Sequence, residues 1–169
     1  MTREIFYQPV GVIHSPFKEP VGVPIQPVFG ENLEGTVEIF PEFVEGLRDL
    51  EEFERVWLIY HLDRAPAPKL LAKPFLDDRE HGIFAVRSPS RPNPIGLSCV
   101  RLKGIAGAVI TIAGVDVIDC TPLLDIKPYV PRFDSFPESR AGWFDRASGG
   151  VTRADGRFAV ERRAKAGEQ

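Results

Sequence analysis

Apolar residues recur along this chain mostly in short runs alternating with polar ones, the period-two signature of half-buried strands. Residues 35–40 (GTVEIF) and 97–102 (LSCVRL) follow that alternation. Residues 5–13, 82–86, 108–113 and 115–118 are short apolar or β-branched runs, and they too are predicted as strands. Residues 53–62 (FERVWLIYHL) are dense in aromatic and β-branched side chains and predict a central strand buried on both faces. Helical spacing occurs once, where Phe43, Val44, Leu47 and Leu50 follow Pro41 and predict a short helix over residues 42–50. About seven strands, one short helix, long proline-rich loops and no βαβ alternation define an all-β chain. No GxGxxG follows a strand, which disfavours a Rossmann-type nucleotide site.

The loops carry the candidate chemistry. Between residues 82–86 and 97–102 lies RSPSRPNPIG, in which Pro89, Pro92 and Pro94 have fixed φ and push their predecessors toward extended geometry. Two readings stay open for this rigid loop: a stiffened connection with solvated arginines, or a ligand-binding loop. From His81 to Val115 there are four Lys/Arg and no acid, in a chain of net charge −3. That local positive field suits an anionic or polar ligand. Further on, Leu123 and Leu124 anchor a stretch in which Asp125, Lys127 and Tyr129 alternate with Ile126 and Pro128. An extended backbone places all three polar side chains on one side. They form either a site or an Asp–Lys ion pair at a sheet edge. Tyr60 and His61 end the central strand, and His61 by itself also reads as a hydrogen-bonded core histidine.

Composition narrows the class. A chain of 169 residues with 43% hydrophobic and 27% charged residues reads as one globular domain, with or without a tail. Cys99 and Cys120 have no CxxC spacing, and His14, His61 and His81 are scattered, so no zinc pattern exists and no metal is expected. No apolar run approaches the ~20 residues of a membrane span and no signal-peptide pattern opens the chain, so no membrane association and a cytoplasmic location are expected. Residues 1–131 hold 13 basic and 18 acidic side chains, a net of −5, whereas residues 132–169 hold eight and six, a net of +2. The chain is therefore not a basic nucleic-acid binder overall, and a polyanion would have to meet the central loop or the tail. Beyond Pro131 the pattern is lost. Phe133, Phe136, Trp143 and Phe144 are expected to pack on the domain or on a second subunit, and residues 154–157 mark a turn.

Four ordered motifs carry a resemblance: IHSPF at 13–17, WLIYH at 57–61, RSPSRPNPIGLS at 87–98 and LDIKPYVP at 124–131. Together they resemble the TsaA-like (TrmO-like) family of bacterial tRNA N6-adenosine methyltransferases over roughly residues 5–135. The resemblance implies a small β-barrel over residues 1–135, with 136–169 as a C-terminal extension on the barrel or the dimer partner and a frayed end. It also implies S-adenosyl-L-methionine as cofactor and a homodimer whose cofactor site borrows from the neighbouring subunit. Cofactor contacts are expected from Pro24, Ile25 and Gln26 in an extended arm, from Tyr60, His61, Arg87 and Leu97, and from Asp125, Ile126, Lys127 and Pro128. Asp125, Lys127 and Tyr129 are the expected catalytic set, and Arg91, Asn93 and Tyr129 the expected substrate contacts, with Arg91 and Asn93 alternatively holding the loop. The implied reaction is N6-methylation of a tRNA adenosine next to the anticodon. Bacterial tRNA enzymes of the family carry an additional C-terminal domain that this sequence is too short to hold. Two alternatives therefore stay open: the same chemistry on a small molecule or another RNA, and a non-catalytic donor- or nucleotide-binding module.

Overall fold

The computed structural model describes residues 4–158; the expected frayed end falls outside them. The alternating runs become strands β1 (Gly11–His14), β2 (Glu34–Ile39), β3 (Arg55–His61), β4 (Leu71–Ala72), β5 (His81–Gly82), β6 (Ile95–Ala106), β7 (Val109–Ala113) and β8 (Thr121–Pro128). Six of them close an antiparallel barrel in the order β1-β2-β7-β6-β3-β8, and β4 pairs with β5 in a separate ribbon. Closure removes the unpaired edges that an open sheet would expose. The inward positions are apolar: Ile13, Val37, Val56, Leu58, Val100, Ile110, Ile112 and Leu123 are essentially free of solvent. Each such burial contributes about 1.5–3 kcal/mol relative to exposure. Gly107, at φ +61°, turns β6 into β7.

Several elements differ from expectation. Residues 82–86 do not form a barrel strand: Gly82 ends β5, and Ile83–Ala85 is a single 3-10 turn. Ile83 and Val86 instead bury themselves with Ala72 against Trp143, forming a small second core beside the barrel. Local β propensity yields there to packing against a loop. Residues 42–50 are not an α-helix but two 3-10 segments, Pro41–Leu47 and Leu50–Glu52, interrupted at Asp49 with φ +66°. The first strand is shorter than expected, and residues 4–9 are exposed. Residues 115–118 are irregular, although Val115 and Val117 still point into the core. The central strand β3 alternates instead of being buried on both faces: Val56, Leu58 and Tyr60 are buried, while Arg55, Trp57, Ile59 and His61 are half-buried.

A β-bulge sets the phase of β8. Ile59 pairs with Asp125, but Tyr60 pairs with Leu123, so Leu124 is the extra residue. A one-residue slip exchanges the two faces of a strand. Leu123 therefore faces the core, whereas Asp125 and Lys127 share the outer face with their partners Ile59 and Trp57. The segment after β8 begins with α1 (Pro131–Asp134) and later returns to the arm that precedes β2. Ala154 exchanges backbone hydrogen bonds with the arm, through Gly22 N–H to Ala154 O at 2.9 Å and Ala154 N–H to Val23 O at 2.7 Å. Ile25 N–H donates to Thr152 O at 3.1 Å. The arm at residues 20–26 is thus fixed in place by the C-terminal segment.

Candidate active site

A cavity of about 400 Å³ lies under this arm. That volume falls in the range of small-molecule sites, roughly 300–1,000 Å³. Its walls come from the arm (Val23, Pro24, Ile25, Gln26), the start of β6 (Ile95, Gly96, Leu97) and the stretch at 116–118. Phe84, Val86, Arg87, Ser88 and Pro89 line it from the central loop, and Ala154, Asp155 and Phe158 from the C-terminal segment. The lining is mostly apolar, with a few placed polar groups.

Those polar groups are ordered by the fold. Tyr60 and Gly96 are register partners on β3 and β6. A Cβ at residue 96 would lie 2.0 Å from the Tyr60 ring, so glycine lets the ring cross the strand. The Tyr60 hydroxyl then lies 2.9 Å from Ser98 Oγ, and Ser98 Oγ donates to Asp116 Oδ1 at 2.6 Å. With the Ser98 proton committed to Asp116, Tyr60 is the donor in the first bond, and the chain of hydroxyls runs toward the carboxylate. Burial raises the Asp116 pKa to about 7, opposed by the Ser98 hydroxyl and by the field of Arg87. Burial and the neighbouring Asp116 push the Tyr60 phenol well above its ordinary range. Arg87 does not pair with Asp116: its Nη1 donates to Gln26 Oε1 at 2.5 Å, tying the central loop to the arm. Ser88 is 5% exposed, and its buried Oγ has no hydrogen-bond partner among the described residues.

Of the residues expected to hold the cofactor, the fold gathers Pro24, Ile25, Gln26, Tyr60, Arg87 and Leu97 around this cavity. Arg91 lines it too, but its guanidinium donates to Ile83 O at 3.2 Å and Val86 O at 2.7 Å and so braces the 83–86 turn. His61 is half-buried and lines neither this cavity nor the outer groove described next. Asn93 is exposed, and its carbonyl accepts from Ile95 N–H at 2.8 Å.

Asp125, Ile126, Lys127 and Pro128 line neither space; Ile126 packs against the barrel core, and the bulge at Leu124 turns Asp125 and Lys127 to the outer face. There Lys127 Nζ pairs with Asp125 Oδ2 at 2.8 Å, and the Tyr129 ring meets Trp57 edge-on at 5.8 Å. Tyr129, Trp57, Arg55 and Phe136 line a shallow outer groove of about 610 Å³. Gln26, Arg87 and Leu97 line both spaces and form the wall between them.

Sequence reasoning missed Asp116, Ser98 and Ser88. Asp116 carried a signal, a lone acid between Val115 and Val117. Ser98 sat at an inward position of β6, between Leu97 and Cys99. His14, Asp119 and Cys120 were not expected to meet, yet their ligand-type atoms lie within 4.8 Å of one another. That cluster already holds cations. Lys18 pairs with Asp119, whose carboxyl is held below its usual range chiefly by the Lys18 hydrogen bond, and Arg64 bonds the Asp119 carbonyl. It braces the loop, and Ser15 N–H joins it at 3.0 Å.

Comparison with known proteins places this architecture in a class of small β-barrels. A crystal structure of TrmO from Pseudomonas aeruginosa superposes with a TM-score of 0.72 at 37% identity, over 86% of this chain and 63% of that one. The sequence model of the tRNA-methyltransferase O N-terminal domain matches residues 12–135, and the chain belongs to this family. It is 53% identical over 156 residues to a probable S-adenosyl-L-methionine-binding protein of Pyrococcus abyssi, covering 91% of this chain and 85% of that protein. It is 32% identical over 151 residues to the tRNA (adenine(37)-N6)-methyltransferase of Escherichia coli, covering 83% of this chain and 64% of that enzyme. The chain thus spans less than two thirds of that enzyme and of the solved structure. Among the described residues no helix is long and apolar enough to cross a membrane.

Proposed function

We propose that this chain is an S-adenosyl-L-methionine-dependent N-methyltransferase and that the cavity beneath the arm is its donor site. One observation carries the reading: six residues expected to contact the donor, drawn from four separate stretches of the chain, converge on one cavity. The cavity also fits such a ligand chemically. Its apolar walls suit a purine or a methionine chain, and Asp116, Ser88 and Arg87 are polar groups with capacity left for a polar ligand.

When bound, the donor supplies an activated methyl group on a sulfonium. The residues of this chain then bind, orient and exclude water. Gln26 and Arg87 close the arm onto the central loop. An adenine exocyclic amine is a weak nucleophile because its lone pair is delocalised into the ring. A carboxylate accepting its N–H would localise that pair and take up the developing positive charge. Asp125 is assigned that role, with Lys127 orienting it and Tyr129 stacking on the acceptor base. In this reading the Asp125–Pro128 segment works at the cavity of a second copy, in a homodimer. The position of Asp125 and Lys127 on the outer face of β8, away from their own cavity, supports that arrangement.

We take the acceptor to be a tRNA adenosine beside the anticodon, the position in the name of the Escherichia coli relative. The Pyrococcus relative, more similar and named for donor binding alone, favours a second reading in which the chain binds the donor without that acceptor. Transfer of labelled methyl from S-adenosylmethionine to bulk tRNA tests the choice. Label appearing as N6-methyladenosine, and lost in Asp125→Ala with donor binding intact, supports the first reading. Donor binding without transfer supports the second. Light scattering of the purified chain tests the dimer, and a monomer at micromolar concentration would remove the shared-site arrangement.

A further inference from the structure

The donor reading leaves a half-buried acid, set between the buried Val115 and Val117, without a partner of opposite charge. Asp116 lines the cavity and accepts from Ser98 Oγ at 2.6 Å. One donor does not saturate a carboxylate, which offers about four lone-pair positions. Among the described residues no Lys, Arg or His forms an ion pair with it. The other charged or titratable groups around the cavity are Tyr60, Asp63, Arg64, Arg87, Arg91 and Asp155. None of the cations is a partner of Asp116: Arg87 donates to Gln26, Arg91 to backbone carbonyls and Arg64 to the Asp119 carbonyl, while Asp155 is paired with Arg157. A carboxylate largely withdrawn from water in this state is costly unless it is protonated or receives a donor from elsewhere. A second, independent observation comes from the central-loop side of the same cavity: Ser88 Oγ is buried and unpartnered among the described residues, a cost of the same kind.

We propose that Asp116, backed by Ser98 and Tyr60, forms with Ser88 a polar recognition subsite on the core-facing side of the cavity that receives an N–H-bearing end of the ligand, an exocyclic amine or an ammonium group. The proposal rests on the reading of this cavity as the donor site. Asp116 accepts from the ligand nitrogen, and the Ser88 hydroxyl bonds an adjacent polar atom. The amine-bearing end thereby points toward the core, and the opposite end of the ligand toward the wall of Gln26, Arg87 and Leu97 that adjoins the outer groove. Asp116 is a specificity residue here, with no part in bond making.

The sign of the pH dependence follows. A ligand N–H prefers the ionised carboxylate, so binding must displace a proton wherever Asp116 is protonated. With its pKa at about 7, affinity is expected to fall about tenfold per pH unit below that value and to level off above it.

Calorimetric titration of the full chain with S-adenosylhomocysteine at pH 6 and pH 8 tests the proposal. Wild type is expected to bind roughly tenfold more weakly at pH 6 than at pH 8. Asp116→Asn is expected to lose at least about tenfold at pH 8 together with most of the pH dependence, and Ser88→Ala a smaller factor. Adenosine, inosine and methionine then locate the nitrogen. An Asp116→Asn loss for adenosine that is absent for inosine assigns the exocyclic amine, and a loss for methionine assigns the ammonium. Unchanged affinity in Asp116→Asn at both pH values overturns the subsite and leaves the donor site standing. If Asp116→Asn does not fold, a flat wild-type pH profile with unchanged binding in Ser88→Ala overturns it equally. No binding to wild type overturns the donor reading and the subsite together.

Discussion

Asp116 and Asp125 are two acids on one barrel, and they meet opposite environments. Asp125 sits on the outer face of β8 with its side chain 46% exposed and Lys127 at 2.8 Å. Asp116 sits against the core, held by Ser98 and lacking a cationic partner. Coulomb attraction in water is weak, so the outer pair contributes little to folding and its side chains remain free to engage a ligand. In the cavity the same charge is expensive, so Asp116 is poised to change its protonation or its partner. The comparison teaches that a polar constellation conspicuous in sequence can be the solvated one. The acid under the larger physical constraint can lie in an apolar run that draws no notice.

The largest expected effect breaks the inner site at its base. Gly96→Ala places a methyl group 2.0 Å from the Tyr60 ring. Overpacking of this kind costs about 1–3 kcal/mol or more, so thermal melting should show a drop of roughly 3–10 °C. Arg87→Ala removes the tie to Gln26, leaves the barrel core untouched and should weaken S-adenosylhomocysteine binding about 10–100-fold, as loss of a charge-assisted bond does. Calorimetry checks it, and unchanged affinity would detach the central loop from the donor site.

A third prediction separates the two acids by pH. Asp116 has a folded pKa of about 7 against roughly 3.9 when unfolded. Between those values the folded state holds the extra proton. The ligand-free protein should therefore lose stability as pH rises through that window, by at most roughly 1.4 kcal/mol per unit, and level off above pH ~7. Asp116→Asn should flatten this component in chemical denaturation followed from pH 4 to 8. Smallest of all, Lys127→Ala should change stability by less than about 1 kcal/mol. A larger loss in the same denaturation series would mean that the outer pair is structural.

Much of the architecture was legible because barrel strands obey a simple rule. β2, β3, β6 and β7 each alternate or cluster apolar residues, and a closed all-β domain needs little more. The misreadings have local causes. Residues 82–86 have strand-forming composition, yet Ile83 and Val86 find burial against Ala72 and Trp143 without a ladder partner. The helical spacing over residues 42–50 survives only as 3-10 turns, interrupted at the left-handed Asp49. In the candidate site, the arm, Tyr60, Arg87 and Leu97 stood out by motif, whereas Asp116, Ser98 and Ser88 did not. Single polar residues within apolar runs show their meaning only when burial is known.

The sequence by itself determined the all-β class, the stiffness of the central loop and the family, since periodicity, proline geometry and ordered motifs are properties of the chain alone. The tertiary structure decided which polar groups share a space. The bulge at Leu124 sends Asp125 and Lys127 outward, and the contact of Gly96 with Tyr60 aims a line of hydroxyls at Asp116. The backbone bonds of Ala154 to the arm set the roof of the cavity. Each depends on register or on contact between residues remote in the chain, so no local pattern encodes it.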